Sequence, residues 1–277
     1  MLARWYVGGT RAPLAWPDDV LVATAETVVA DDRPLPMTRA LSRALENRVR
    51  SDGSRPLVTW YDLGQGHRTE LSARTFANWV DKTVNLMASV GLVERPQVGL
   101  PLLLAHPGHW VGLVWTMAVW QIGGQVQAEP RETLDAVDLA VVGPENSHPV
   151  PGVETVACSL HPLGLGFATP RRAVIDYAEV TSHPDGHWAY PAQDTSVAFT
   201  SNRTLLTAGE IDQVAGSSER RALRVAASDD PWRVLAEALV APILGGGSIV
   251  VVSGDTGDGV ERVLSSENAA LIPPDRR

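Results

Sequence analysis

The most apolar part of the chain lies between Val98 and Val126, and its centre, Trp110 to Ile122, runs for 13 residues without a charge. A membrane-spanning helix needs about 20 such residues, and Pro101, His106, Pro107 and His109 break up the flank. The segment therefore reads as a core helix rather than a span. A helix that is apolar all round must be covered all round. Only a layered fold does that, so this stretch demands sheets or helices on both of its sides.

The rest of the chain supplies them. From Thr38, helix and strand patterns alternate. A helix is expected from Thr38 to about Arg50, with Leu41, Ala44, Leu45 and Val49 on one face. Pro56–Tyr61 and Arg68–Leu71 read as a hairpin across Gly64-Gln65-Gly66. Ser72 then caps a helix on which Phe76, Val80, Val84, Met87 and Val90 recur, and Gly91 stops it. Strands are expected at Val98–Leu104, Gln125–Gln127 and Leu139–Val142. Short, near-continuous apolar strands separated by helices indicate parallel sheets covered on both faces.

Residues 146–194 are dense in Pro, Gly and His and read as an irregular linker between two sheets, with short strands at Val153–Ala157 and Ala173–Asp176. A second unit then begins, with a strand at Ser196–Phe199 and a capping box at Thr207–Glu210 opening a helix to about Arg220. It continues with a strand at Leu223–Ala227, a helix capped by Asp230-Pro231, a strand at Ser248–Val252, a helix near Val260–Ser265 and a strand at Ala269–Ile272. The expected division is a loosely ordered extension over 1–36, an α/β subdomain over 37–145, the linker, and a shorter α/β subdomain over 195–277. The extension holds four prolines and no steady period, and a true start at Met37 is one reading of it.

Composition narrows the function. The net charge is −9, which argues against a nucleic-acid surface. Cys158 is the only cysteine, so no internal disulfide forms and no zinc site rests on cysteines. No signal peptide opens the chain, and cytoplasmic is the default compartment. Of 23 basic residues only Lys82 is a lysine, so chemistry that needs two lysines cannot run on this chain.

The obvious motifs are structural on inspection. Gly245-Gly246-Gly247 follows a helix and precedes a strand, the reverse of a phosphate loop, and reads as a helix C-cap. Gly254 to Gly259 lacks a P-loop lysine and reads as a polar turn. His106 and His109, and His183 and His187, are pairs without the further ligands a metal site requires. No G-x-S-x-G nucleophile elbow is present. The arginine groups Arg171-Arg172 and Arg220, Arg221, Arg224 read as surface charge.

The order of several weak motifs is more telling. Thr59-Trp60-Tyr61-Asp62, Arg68-Thr69-Glu70-Leu71-Ser72 and Phe76-Ala77-Asn78-Trp79 are followed by Leu102 to Trp110, then Ala118 to Val126, Thr195 to Ser201, and Leu239 to Val250. This succession resembles the first part of the adenylate-forming superfamily of acyl-CoA synthetases, luciferases and peptide-synthetase adenylation domains, and most resembles its short actinobacterial members. The resemblance implies two largely parallel sheets covered by helices, corresponding to the first two subdomains, with the C-terminal domain absent. It also places the ATP loop at Thr200, Ser201, Asn202, Arg203 and Thr204.

That loop departs from the family pattern T-S-G-[ST]-T-G-x-P-K-G. Thr200, Ser201 and Thr204 match, but Asn202 and Leu205 stand in place of the loop glycines and Ala208 in place of the lysine. Glycines let a backbone close on phosphates, and Arg203 offers a planar fork in place of a point charge. The family's Tyr-Gly-x-Thr-Glu element and its C-terminal catalytic lysine have no counterpart in this sequence. The expectation is a degenerate relative without adenylation activity that binds a ligand or a partner, needing no cofactor. The alternative is an acyl-adenylating enzyme that uses ATP or AMP and acts only with a complementing chain. A protein partner or a second copy is expected on the C-terminal side, near Ser248 to Ile272, and a nucleotide or acyl ligand is a further candidate, with no nucleic acid and no membrane.

Overall fold

A computed structural model describes residues 38–134, 136–254 and 258–273. The expected extension over 1–36 and the start-site question at Met37 lie outside the described residues. In chain order the first elements are α1 (Thr38–Asp52), β1 (Pro56–Asp62), β2 (His67–Ser72), α2 (Ala73–Ser89), β3 (Gln97–Gly99), α3 (Leu102–Ala105) and α4 (Trp110–Gln121). Next come β4 (Gln125–Ala128), β5 (Leu139–Val142), β6 (Glu154–Ala157), β7 (Ile175–Asp176), β8 (Val197–Ser201), β9 (Thr204–Thr207) and α5 (Ala208–Ile211). The last are β10 (Arg220–Arg224), α6 (Pro231–Leu235), α7 (Ala241–Gly245), β11 (Ser248–Ser253), α8 (Gly259–Glu267) and β12 (Ala270–Leu271). One π turn, Ala236–Val240, joins α6 to α7. Pro242 has no N–H to give the carbonyl four residues back, and the helix is wound wide just ahead of it.

Two sheets form. One has the order β12-β10-β11-β1-β2 and the other β7-β6-β5-β3-β4-β8-β9. Every neighbouring pair is parallel except the hairpins β1–β2 and β8–β9. The uncharged segment is α4, and all of its residues are buried. It packs with α1, α2 and α6–α7 in one core that takes in Leu57, Leu223 and Val251 from the first sheet and Val98, Val126 and Phe199 from the second. The outer face of the first sheet (Ala222, Val250, Val252) is covered by Val260 and Val263 of α8. The outer face of the second (Ala140, Val142, Ala157) is covered by loop residues including Phe167 and Val174.

Local signals in the sequence place most boundaries. The Ser72 hydroxyl accepts from the Thr75 amide at the start of α2. Thr207 and Glu210 form the expected capping box, and Asp230 caps the helix that Pro231 opens. Gly246 closes α7 in the left-handed conformation, φ 75°, as a C-cap should.

Four expectations are corrected. The sheets are not built from successive halves of the chain: the β1–β2 hairpin from residues 56–72 joins β10, β11 and β12 from beyond residue 219, while β8 and β9 extend the other sheet. The stretch read as a linker between sheets carries its two expected strands, β6 and β7, but they belong to that second sheet as its edge. Val98–Leu104 is not one strand, because Pro101 turns into the helical region (φ −57°, ψ −22°) and its carbonyl accepts from Leu104, which starts α3. The helix opened by Thr207 lasts one turn. The chain from Gly216 then runs against the end of α7, with Ser217 N–H on Ala241 O and Gly247 N–H on Ser217 O, and the strand begins at Arg220 rather than Leu223. Within the stretch Ser248–Ile272, β11 is buried in mid-sheet, so its outward parts are α8 and the β12 edge.

A polar hub ties α8 to the first sheet. Glu267 ends the helix, where a carboxylate opposes the helix dipole. Tyr61 Oη and the Arg68 and Arg220 guanidiniums all donate to it. Burial disfavours its charge, but these three donors outweigh burial and its pKa is lowered from 4.5. A carboxylate with a lowered native pKa stabilises the fold above its unfolded pKa, and that contribution disappears as the pH falls through the native value. Stability measured by urea denaturation should therefore drop below pH about 4.5 in the wild type. Glu267→Gln should be less stable at neutral pH and show a shallower acid dependence. In the core, Trp115 is fully buried while Leu163 is 74% exposed. By the same assay Trp115→Ala should cost about 3–5 kcal/mol, and Leu163→Ala should stay within about 0.5 kcal/mol.

Candidate functional site

Open parallel sheets take ligands outside the carboxyl ends of their strands, where neighbouring strands send their connections in opposite directions. Both sheets have such a point. After β10 the chain enters α6–α7, which packs through Val234, Leu235 and Ala238 on the face of Leu223 and Val251. After β11 it enters α8 on the opposite face. The switch therefore lies between β10 and β11. In the other sheet β3 connects toward β4 and its neighbour β5 connects the other way, toward β6.

A cleft opens at each switch. The first, about 210 Å³, is lined by Val225 and Ala226 after β10, Ser253 and Gly254 after β11, Trp60 and Asp62 of β1, and the α3–α4 turn through His106 and His109. Close approach of backbone builds it. Gly108, at φ +71°, lies so near the first sheet that a Cβ would come within 2.8 Å of Val251 Cγ1. At Gly254, φ +67°, a Cβ would meet Asp62 Oδ1 at 2.7 Å. Asp62 Oδ1 is held by the amides of Gly64 and Gln65, at 2.9 and 3.1 Å. The second cleft, about 300 Å³, lies between Pro101 and Leu104 on one side and Gly143 and Glu145 on the other. Arg131 lines it but spends its guanidinium on the carbonyls of Asn146, His148 and Pro149.

His106 stands between the clefts, its Nε2 2.7 Å from Glu145 Oε1. A partly exposed imidazole oriented by a carboxylate can accept or deliver a proton. His109, three residues on, does the opposite work. Its Nδ1 accepts from the Val111 amide and so caps α4, which fixes the ring as the Nε2–H tautomer. Burial holds it neutral, with its pKa lowered to about 3; His106 adds to that effect and the Leu160 carbonyl opposes it. Its ring packs against Trp60 at 4.4 Å. The clefts thus offer a carboxylate, a His–Glu pair, a neutral imidazole and a serine hydroxyl. Among the described residues no three His, Cys, Asp or Glu side chains are grouped to hold a metal ion. The Cys158 thiol is buried and its pKa is pushed up by burial, so it is no nucleophile.

The residues placed at the ATP-loop position fall elsewhere. Thr200 and Ser201 end β8, Asn202 and Arg203 are an exposed two-residue turn, and Thr204 starts β9, with Ser201 paired to Thr204. Neither Asn202 nor Arg203 has a positive φ. The five are contiguous at the carboxyl edge of the second sheet, beside β4, but none lines either cleft. Thr200 Oγ1 accepts from Gln125 Nε2 at 3.3 Å. One residue past the Ala128–Ser201 pair, Glu129 keeps a buried carboxylate oxygen without a partner, and burial raises its pKa. Lys82 is committed to the carbonyls of Thr181 and His183. Sequence reasoning weighed His106 only as a metal ligand. Its partner Glu145 lies 39 residues away on another loop, and no local signal joins them.

Two largely parallel sheets around a helical layer, with clefts at their carboxyl edges, make up the fold of the N-terminal part of an adenylate-forming enzyme. An acyl-CoA synthetase of Brucella canis superposes with a TM-score of 0.65 at 16% identity, over 84% of this chain and 46% of its own. The anthranilate CoA ligase AuaEII, solved with anthranoyl-AMP, gives 0.60 at 13% identity, over 85% of this chain and 48% of its own. The chain thus spans about half the length of the solved structures it matches. In sequence it is similar to a Mycobacterium tuberculosis protein described as "TIGR03089 family protein", 28% identical over 247 residues that cover 82% of this chain and 95% of that one. No protein-family model matches.

The burial of His109 has a measurable consequence. Between its unfolded value of 6.5 and about 3, the unfolded chain holds a proton that the folded chain does not, so stability falls as the pH falls through that window. In NMR the His109 ring signals should not titrate between pH 5 and 8. His109→Asn should flatten the loss of stability below about pH 6.5.

Proposed function

We propose that this chain is a binding protein on an adenylate-forming scaffold, which takes a ligand or partner at the carboxyl edges of its sheets and does not adenylate carboxylates by itself. The observation that carries the reading is the hairpin at Ser201–Thr204. A phosphate cradle needs successive amides turned inward, usually through glycines or left-handed residues. Here two non-glycine residues without positive φ close a β-ladder directly. The lysine that would steady a transferring phosphate is lacking, since Lys82 is tied to carbonyls. Interactions of this kind supply several kcal/mol each to transition-state stabilisation, on the order of a hundredfold or more in rate.

A second reading has an observation in its favour. The synthetases that share the fold extend for as much again as the part matched here. On that reading the chain adenylates an acyl substrate with ATP when a complementing chain supplies the remaining groups, and that chain docks at the outward part of the C-terminal stretch. Leu271, 45% exposed on the β12 edge, is the apolar group available there.

ATP–pyrophosphate exchange across a panel of carboxylic acids separates the two readings, with thermal-shift titrations of ATP, AMP and CoA alongside. We expect no exchange above a protein-free control and a stabilising shift with at least one of the three ligands. Robust exchange by the purified chain alone would overturn the binding-protein reading. Exchange that appears only when a second protein is added would establish the alternative.

A further inference from the structure

Away from both clefts, a cavity of about 320 Å³ lies between α1, α2 and the end of α4. Its walls are apolar, from Leu45 and Val49 on α1 and Ala77 on α2. Its inner end is polar and built from several elements. Asp81 is only 7% exposed, although its place on the inward face of α2 calls for an apolar residue. Asp81 Oδ1 accepts from Gln121 Nε2 at 2.9 Å and from His187 Nδ1 at 2.7 Å. Gln121 Nε2 also donates to Trp188 O at 2.7 Å, and His187 Nε2 reaches Glu46 Oε1 on α1 at 3.1 Å. Bonding to Asp81 raises the His187 pKa against the opposing effect of burial, and Glu46 adds to the rise. Arg50 lies 3.8 Å from Glu46. Each carboxylate thus already has a partner: Asp81 the His187 imidazole, and Glu46 both that imidazole and Arg50.

One group in this cavity is unfinished. Ser42 lines it, is 5% exposed, and its hydroxyl has no hydrogen-bond partner. Buried hydroxyls are nearly always paired, because leaving one unpaired forfeits its hydration without return. An unpartnered hydroxyl and a fixed carboxylate that line one pocket with apolar walls are the arrangement expected of a small-molecule site. We infer that this cavity binds a small neutral molecule with an apolar body and a hydroxyl or primary-amide head, which donates to Asp81 and accepts from Ser42. A carboxylate head would meet Asp81 and Glu46, and an amine would compete with the imidazole and guanidinium already paired to them. None of the cavity's residues lines either cleft, so the site is separate from the proposed ligand edge.

Titration of the whole chain with benzyl alcohol, benzamide, toluene, benzoate and benzylamine, followed by NMR shifts of the Ser42 and Gln121 amides, tests the inference. Benzyl alcohol and benzamide should saturate at millimolar concentration. Benzyl alcohol should bind Ser42→Ala about tenfold more weakly, the loss expected for one hydrogen bond, and toluene, which lacks the head and both of its bonds, should bind the wild type more weakly still. Ser42→Ala removes only an unpaired group, so its ligand-free melting temperature should not fall. Ala77→Leu, which fills the cavity, should abolish binding. The inference is overturned if no probe saturates, if toluene or a charged probe binds as well as benzyl alcohol, or if Ser42→Ala or Ala77→Leu leaves the affinity unchanged.

Discussion

The structure depends on enclosing α4. A helix with Trp110, Trp115 and Trp120 on different sides cannot be covered by a single sheet, and here two sheets and several helices close around it. The enclosure also meets two polar needs, while Trp110 and Trp115 Nε1 stay without a hydrogen-bond partner. Trp120 Nε1 donates to the Ala198 carbonyl of β8, and His109 caps the first turn. A group that elsewhere would titrate is thereby fixed as a neutral structural element. The turn that delivers His109 also brings His106 to the boundary between the clefts, so packing of the helix sets the geometry of the candidate site.

Much of this was legible in the sequence because the deciding interactions are local. Caps at Ser72, Thr207 and Asp230, the glycine stop at Gly246 and the apolar strand Leu139–Val142 depend on residues within a turn or two, and each falls where it was read. The ordered succession of motifs also pointed to the right fold. What could not be read is long-range. Nothing local in Pro56–Asp62 says that it pairs with Ser248–Ser253 rather than with the strands that follow it. The same limit hid the site's pairings, since His106–Glu145 and His187–Asp81 join residues 39 and 106 positions apart. Only where a proline or glycine acted against a hydrophobic pattern, at Pro101 and Gly216, did the local reading itself mislead.

The departure from the family pattern at Thr200–Thr204 takes on a physical form in the structure. Asn202 and Leu205, where that pattern has glycines, do more than remove contacts. They make the segment a competent hairpin, with Leu206 packed against the core and Leu205 turned outward. Amides engaged in a ladder are not free to line a phosphate.

The interleaving of the sheets governs how the chain reaches this structure. The first sheet joins residues near 60 to residues near 250, and its edge strand is completed only at Leu271. Such pairings close long loops before they return any energy, which slows folding and raises the fraction of time spent half-built. During synthesis, β1 and β2 emerge with one flank unpaired and the apolar helix α4 follows them, yet the strand that covers β1 is made almost 200 residues after it. In that interval α4 has only the second sheet and its neighbouring helices for cover. The architecture that hides this helix so completely in the finished protein leaves one side of it open while residues 122–247 are being made.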